Sequence, residues 1–251
     1  MRVLFVAGEV APFSDTTETS RLLRVLPEAL QERREVEPRI MMPRYAVVSE
    51  RRNRLHEVIR LSGDHFEAGG VRDQVRVKVA SIPGIRLQVY FIDAVHFFKR
   101  KGLHLDRRAG TLFADNAARA LFYARAALGT ARKLGWNPEV VHASGWIAAF
   151  VPHILREEYG TDPALEGARS VYTPDRVEGF DPVLTADEVS ALGLPEAWAD
   201  RSFRAIGLST ADAAVYAADD APEGDDPAGP TLDAEPEAAD TAADAYAALL
   251  A

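Results

Sequence analysis

Val3-Leu4-Phe5-Val6-Ala7-Gly8 is a run of five apolar residues closed by a glycine, close to the start of the chain. A continuous run of that length, with no polar alternation, suits a strand buried on both faces, as in a parallel sheet. Beyond it, Leu22, Leu23, Leu26 and Leu30 recur at helical spacing up to Arg33, and residues 39–42 form the next strand, closed by Pro43. Residues 75–82 and 87–92 flank Pro83-Gly84 and predict an antiparallel hairpin. The alanine-dense stretch 113–134 predicts the longest helix, ending at Gly135. A strand at 140–143, a helix at 146–159 and a strand at 170–173 follow. Thr185 and Glu188 have the spacing of a capping box for a helix running to Leu192, before Gly193. Strand and helix in turn indicate an α/β protein: a Rossmann-like parallel sheet with helices on both faces. No internal repeat is present.

Composition narrows the function classes. A hydrophobic content of 47% supports a substantial core, and the absence of cysteine removes disulfides and thiolate metal sites. Glu9 interrupts the first apolar run, no small-residue cleavage site follows it, and no apolar stretch approaches the roughly 20 residues of a membrane span. A cytoplasmic protein with no membrane partner is therefore expected. The net charge of −9 is unevenly placed: ten acidic and no basic residues lie in 217–251, leaving 28 acidic against 29 basic before them. A neutral body with an acidic end has no electrostatic footprint for nucleic acid. Residues 1–218 are read as one folded domain and 219–251 as a disordered acidic tail rich in Ala, Asp and Pro, too poor in large apolar residues to offset the entropy of ordering. Its last residues, 240–251, could form a short helix with Tyr246, Leu249 and Leu250 on one side.

Motifs that carry chemistry are few. The six histidines show no metal-ligand spacing, and neither G-x-G-x-x-G, a P-loop nor G-x-S-x-G occurs, so no metal and no cofactor is expected. Arg51, Arg52, Arg54 and Arg60 make a basic group that either grips an anion or forms a solvated surface.

The opening VLFVAGEVAPF, from Val3 to Phe13, closely resembles the start of bacterial glycogen and starch synthases. RLLRVLPEALQERREVEPRIMMPRY, from Arg21 to Tyr45, resembles their next helix, strand and LPRY turn. Val89 to Asp93, Leu121 to Trp146 and Ser170 to Asp175 fall in that family's order and at its distances. The resemblance covers roughly residues 1–216 and is strongest to short members with a single domain, in which a stretch like Arg51 to Gly63 is familiar. It implies the N-terminal half of a glucosyltransferase built from two Rossmann-like domains. Such an enzyme moves glucose from ADP-glucose to an α-1,4-glucan with retention, in glycogen biosynthesis and without a metal.

The residues that this half would bring to the reaction are substituted. Where the family reads KTGGL, a lysine and paired glycines facing the nucleotide sugar, this chain has Asp15, Thr16, Thr17, Glu18 and Thr19. A carboxylate about 4 Å from a phosphate charge costs about 4 kcal/mol at an effective dielectric of 20, enough to weaken binding by orders of magnitude. Asp15 and Glu18 are instead placed to cap the following helix from within the chain. The HAHDWH element is His142, Ala143, Ser144, Gly145, Trp146 and Ile147, and the T-[IV]-H-N element is Thr173, Pro174, Asp175 and Arg176. Of the substrate-facing positions, Glu9, Asp93, His142 and Trp146 remain matched, and no catalytic residue is assigned. Three readings follow. One is a degenerate relative, a pseudoenzyme that binds an α-glucan or sugar nucleotide without transferring glucose alone. Another is one subunit of a split glycosyltransferase, completed by a separate partner chain. The third is an interaction protein that docks through its acidic tail.

Overall fold

The computed structural model describes residues 1–106 and 108–251. Its core is one eight-stranded sheet. In chain order the strands are β1 (Arg2–Ala7), β2 (Glu37–Pro43), β3 (His56–Glu57), β4 (Arg76–Ser81), β5 (Gln88–Asp93), β6 (Val140–Ser144), β7 (Arg169–Thr173) and β8 (Ala213–Ala214). Across the sheet the order is β8-β7-β6-β1-β2-β5-β4-β3. The run from β8 to β5 is parallel, and β4 and β3 continue it antiparallel. Residues Val3 to Ala7 of β1 are fully buried at the centre, as their unbroken apolar run requires. The hairpin is β4 and β5, with Arg76 opposite Asp93.

Helices α1 (Glu18–Glu32), α2 (Asn116–Leu134), α3 (Val151–Tyr159), α4 (Ala186–Leu192), α5 (Phe203–Thr210) and α6 (Ala238–Leu250) pack around this sheet. Gly135, at φ 64°, ends α2 in the left-handed turn that glycine favours. Thr185 and Glu188 close their capping box reciprocally, ahead of Gly193. The predicted helix over 146–159 is two pieces, a 3-10 turn at Trp146–Ala148 and then α3. Pro152 in the first turn of α3 cannot donate a backbone hydrogen bond to the turn before it.

Two expectations are corrected. The cap of α1 is Thr17, whose side chain accepts from the Ser20 amide, and not an Asp15–Glu18 box. Asp15 accepts from the Ser20 hydroxyl at 3.2 Å and pairs with Arg21 at 3.1 Å, while Glu18 pairs with Arg21 at 3.0 Å. Residues 219–251, expected to be disordered, are packed on the body. Thr231–Leu232 pairs with Tyr216–Ala217, and Asp220 and Tyr246 are fully buried. Small side chains make this possible: Ala238, Ala239 and Ala242 let α6 lie against α1, Tyr246 is its one large anchor and reaches His142 of β6, and Arg33 pairs with Asp240 at the rim. Of the expected apolar side, Leu249 is partly buried against the core and Leu250 is 40% exposed.

Candidate ligand-binding site

Parallel strands β8 to β5 deliver their carboxyl ends to one edge, and the chain order reverses at β1, which lies between β6 and β2. Open α/β sheets hold ligands in the crevice at such a switch point. Gly8 and Glu9 leave β1 there, and Ser144, Gly145 and Trp146 leave β6 beside them, with the Gly8 amide donating to the Ser144 carbonyl at 2.7 Å. Gly145 is required: its φ is 82°, and a Cβ at that position would stand 3.0 Å from the Asp175 carboxylate.

Glu9 is 8% exposed and accepts hydrogen bonds from the Ser14 and Thr16 hydroxyls. Burial raises its pKa above the usual carboxylate range, against the lowering by those two hydroxyls. Asp175 is half-buried and accepts from the Trp146 amide at 2.7 Å. Burial lifts its pKa to about 7, opposed by the Trp146 amide and reinforced by Glu9 and Asp220. The Trp146 ring lies edge-on to Phe180 with centroids 5.0 Å apart, and the Arg119 guanidinium sits 5.6 Å from its centre on a second contact. Asp175 and Phe180 line a cavity of about 500 Å³, shared with Arg176, Arg204, Asp220 and Glu223.

The other two predicted site residues face inward. Asp93 ends β5 in a buried ion cluster, 2.6 Å from Lys78 and 3.8 Å from Arg44, with Glu50 completing it from the rim. Its Oδ2 is taken by Lys78, while Oδ1 has no hydrogen-bond partner among the described residues. Lys78 and Arg44 hold Glu50 down to about 2, and burial only partly offsets them. His142 is fully buried between strand and tail: Nδ1 meets the Tyr246 hydroxyl at 2.6 Å and Nε2 meets Thr173 Oγ1 at 2.7 Å. Burial takes its pKa down to about 3, so the ring is neutral. The crevice therefore brings Glu9 and Trp146 together with Asp175, and leaves Asp93 and His142 in the frame that supports it.

Sequence reasoning did not single out Arg119, which is fully buried against the Trp146 ring. Arg119 is the one arginine on the buried face of α2, three residues after Asn116, which accepts its Nη1 at 2.7 Å. That Asn–Arg spacing inside an alanine-rich helix was the available signal. Arg51, Arg52, Arg54 and Arg60 are all exposed and make no ion pair among the described residues. Among those residues no three His, Asp or Glu side chains are placed to hold a metal, and no helix is long and apolar enough to cross a membrane.

The profile of the starch synthase catalytic domain matches residues 2–221. A glycogen synthase of Chlorobium luteolum is 35% identical over 172 residues, which are 68% of this chain and 35% of that protein. The glycogen synthase of Chlorobaculum tepidum is 32% identical over 172 residues, again 68% of this chain and 35% of the relative. The chain thus spans about a third of the length of the curated relatives it matches. Among solved structures, the catalytic domain of starch synthase IV from Arabidopsis thaliana, bound to ADP and acarbose, superposes with a TM-score of 0.70 at 21% identity. That match covers 85% of this chain and 44% of the plant one.

Proposed function

Since the chain belongs to the starch synthase catalytic domain family, we propose that it is a degenerate member, binding an α-glucan at the carboxyl edge of its sheet without transferring glucose by itself. One observation carries this reading. The turn into α1, where the family places a lysine and two glycines, is filled by its own contacts: Thr17 caps the Ser20 amide, and Asp15 and Glu18 are both paired with Arg21. A diphosphate approaching that turn meets two carboxylates sharing one arginine and finds the Ser20 amide already bonded, which opposes binding electrostatically. Glucan binding fits the rest of the edge, where Glu9 and Asp175 are carboxyl groups and Trp146 and Phe180 are aromatic, a mixture suited to sugar hydroxyls and sugar faces. The test is to incubate the purified chain with radiolabelled ADP-glucose and glycogen, and in parallel to titrate it with maltooligosaccharides. No incorporation above a protein-free blank together with saturable maltooligosaccharide binding is expected. Glucose incorporation by the isolated chain would overturn the degenerate reading, and failure to bind any oligosaccharide would overturn the glucan reading.

A further inference from the structure

The basic group at Arg51, Arg52, Arg54 and Arg60 takes no part in the crevice, and the fold sets it at one end of the sheet. Arg51 and Arg52 lie in a single helical turn (Glu50–Asn53), Arg54 follows it at φ 52°, and Arg60 lies in the 3-10 turn Ile59–Leu61 just past β3. On that side β3 is the outermost strand. Of the acidic residues in the same stretch, Glu50 is drawn inward by Arg44 and Lys78, and Asp64 is paired with Lys133. Glu57 alone is left to offset four exposed arginines. Among them Ile59 stands 76% exposed, more than any other large apolar side chain among the described residues. Protection of the sheet edge calls for none of this, since a two-residue strand is already too short to template pairing.

The opposite end of the sheet carries the opposite sign. Arg176 and Arg204, which hold Asp220, Glu223 and Asp226, follow β7 and lie in α5 respectively. Gly229 lies so close to β8 that a Cβ there would stand 2.1 Å from the Ala214 carbonyl oxygen. The acidic segment therefore covers the β8 end. Five of its carboxylates, on Asp219, Asp225, Asp233, Glu235 and Glu237, are exposed and have no basic partner among the described residues. Pro222, Pro227 and Pro236 are exposed between them. Eight strands leave seven spacings of about 4.8 Å, so the two poles are about 34 Å apart, several times the screening length of about 8 Å at physiological salt. Neither pole can neutralise the other within one molecule.

We propose that copies of this chain associate head to tail, with the arginines beside β3 of one copy against the acidic segment of the next and Ile59 packed on its prolines. Charge complementarity selects this occupant, because the chain itself presents an exposed acidic surface with apolar residues interspersed, which a basic edge around an isoleucine fits. The contact is heterologous: each pole meets the other and not itself. A dimer thus leaves one basic edge and one acidic segment free, and can extend into chains or close into a ring. None of this depends on the glucan-binding reading.

The test is sedimentation velocity of the full chain over a range of concentrations, in about 0.02 M and about 0.5 M NaCl, where the screening length is about 20 and about 4 Å. Two variants each remove one pole: Arg51→Gln/Arg52→Gln/Arg54→Gln, and Asp225→Asn/Asp233→Asn/Glu235→Gln. None of these six side chains makes a hydrogen bond or ion pair among the described residues, so both variants should melt with the wild type. The wild type is expected to associate at low salt, past the dimer as concentration rises, and to return to monomer at high salt. Each variant alone is expected to associate at least about tenfold more weakly, the effect of three lost exposed ion pairs. An equimolar mixture of the two keeps one intact edge and one intact segment between them, and is expected to form a dimer that grows no further. A wild type that stays monomeric at low salt would overturn the inference, as would association that persists at high salt or a variant that associates as tightly as the wild type. A mixture that associates no more than its components would overturn it too, since the two poles would then not be each other's partners.

Discussion

Asp175 and His142 lie near the ends of neighbouring strands, and burial holds both toward their neutral forms, yet the consequences for stability run in opposite directions. The Asp175 pKa rises from 3.8 to about 7 in the fold, so its contribution is present below about pH 4 and is lost as pH rises through 7. The His142 pKa falls from 6.5 to about 3, so its contribution is full above pH 6.5 and is lost as pH falls toward 3. Between about pH 4 and 6.5 the two slopes oppose one another. Asp175→Asn, which keeps the acceptor for the Trp146 amide, is expected to show stability that rises with pH across that window, and His142→Gln stability that falls. Urea unfolding at pH 4, 5, 6 and 7 checks this, and parallel slopes in the two variants would refute the assignment of either group. At this scale the sequence was legible in part. Glu9 and Trp146 could be placed at the edge because each directly follows a recognisable strand. Asp93 and His142 lie within comparable strands and looked equivalent, but their partners, Lys78 and Tyr246, come from residues whose proximity depends on a hairpin register and on a distant helix.

Among the elements, α5 is the one that sequence reading left out, and the reason lies in Gly207. Its eight residues, Phe203–Thr210, include a glycine that weakens the local helical signal. In the fold that glycine permits close approach: a Cβ at Gly207 would come 2.4 Å from the ring of Tyr172, which is buried in β7. Helix propensity alone favours Gly207→Ala by about 1 kcal/mol, while forcing a methyl group against a packed ring costs about 1–3 kcal/mol. Packing therefore outweighs propensity, and Gly207→Ala is expected to lower stability by up to roughly 2 kcal/mol, measured by chemical denaturation; a more stable variant would show that the ring yields freely. Elements whose signals are local, such as the Thr185–Glu188 box, the Gly135 stop and the Pro83-Gly84 turn, were readable from sequence. The two-residue strands β3 and β8 were not, because edge strands of that length are defined by a neighbour and not by their own pattern.

For the whole molecule, the uneven charge is resolved by where the acidic segment lies. Counting by position separates ten acidic residues from a neutral body, and composition alone then argues for disorder. It cannot see that basic groups on the body face the segment: Arg204 meets Asp220 at 2.5 Å and Asp226 at 2.8 Å, and Arg176 meets Asp220 at 3.3 Å and Glu223 at 2.5 Å. Asp220 is fully buried, so its charge is tolerated only while paired. Arg204 is the more enclosed partner, with its side chain 24% exposed against 54% for Arg176, and its attraction is the less screened of the two. Arg204→Ala, which leaves Asp220 with only the exposed Arg176, is therefore expected to cost about 1.5–3 kcal/mol, as for lost hydrogen bonds to a charged group, and Arg176→Ala less than about 1 kcal/mol, as for a surface pair. Because α6 follows this clasp in the chain, the loss in Arg204→Ala should appear first as faster hydrogen exchange across residues 238–250, ahead of any change in the central strands. Exchange that quickened equally in β1 and α6 would mean that the acidic segment and the sheet open as a single unit, and the clasp would have no separate role.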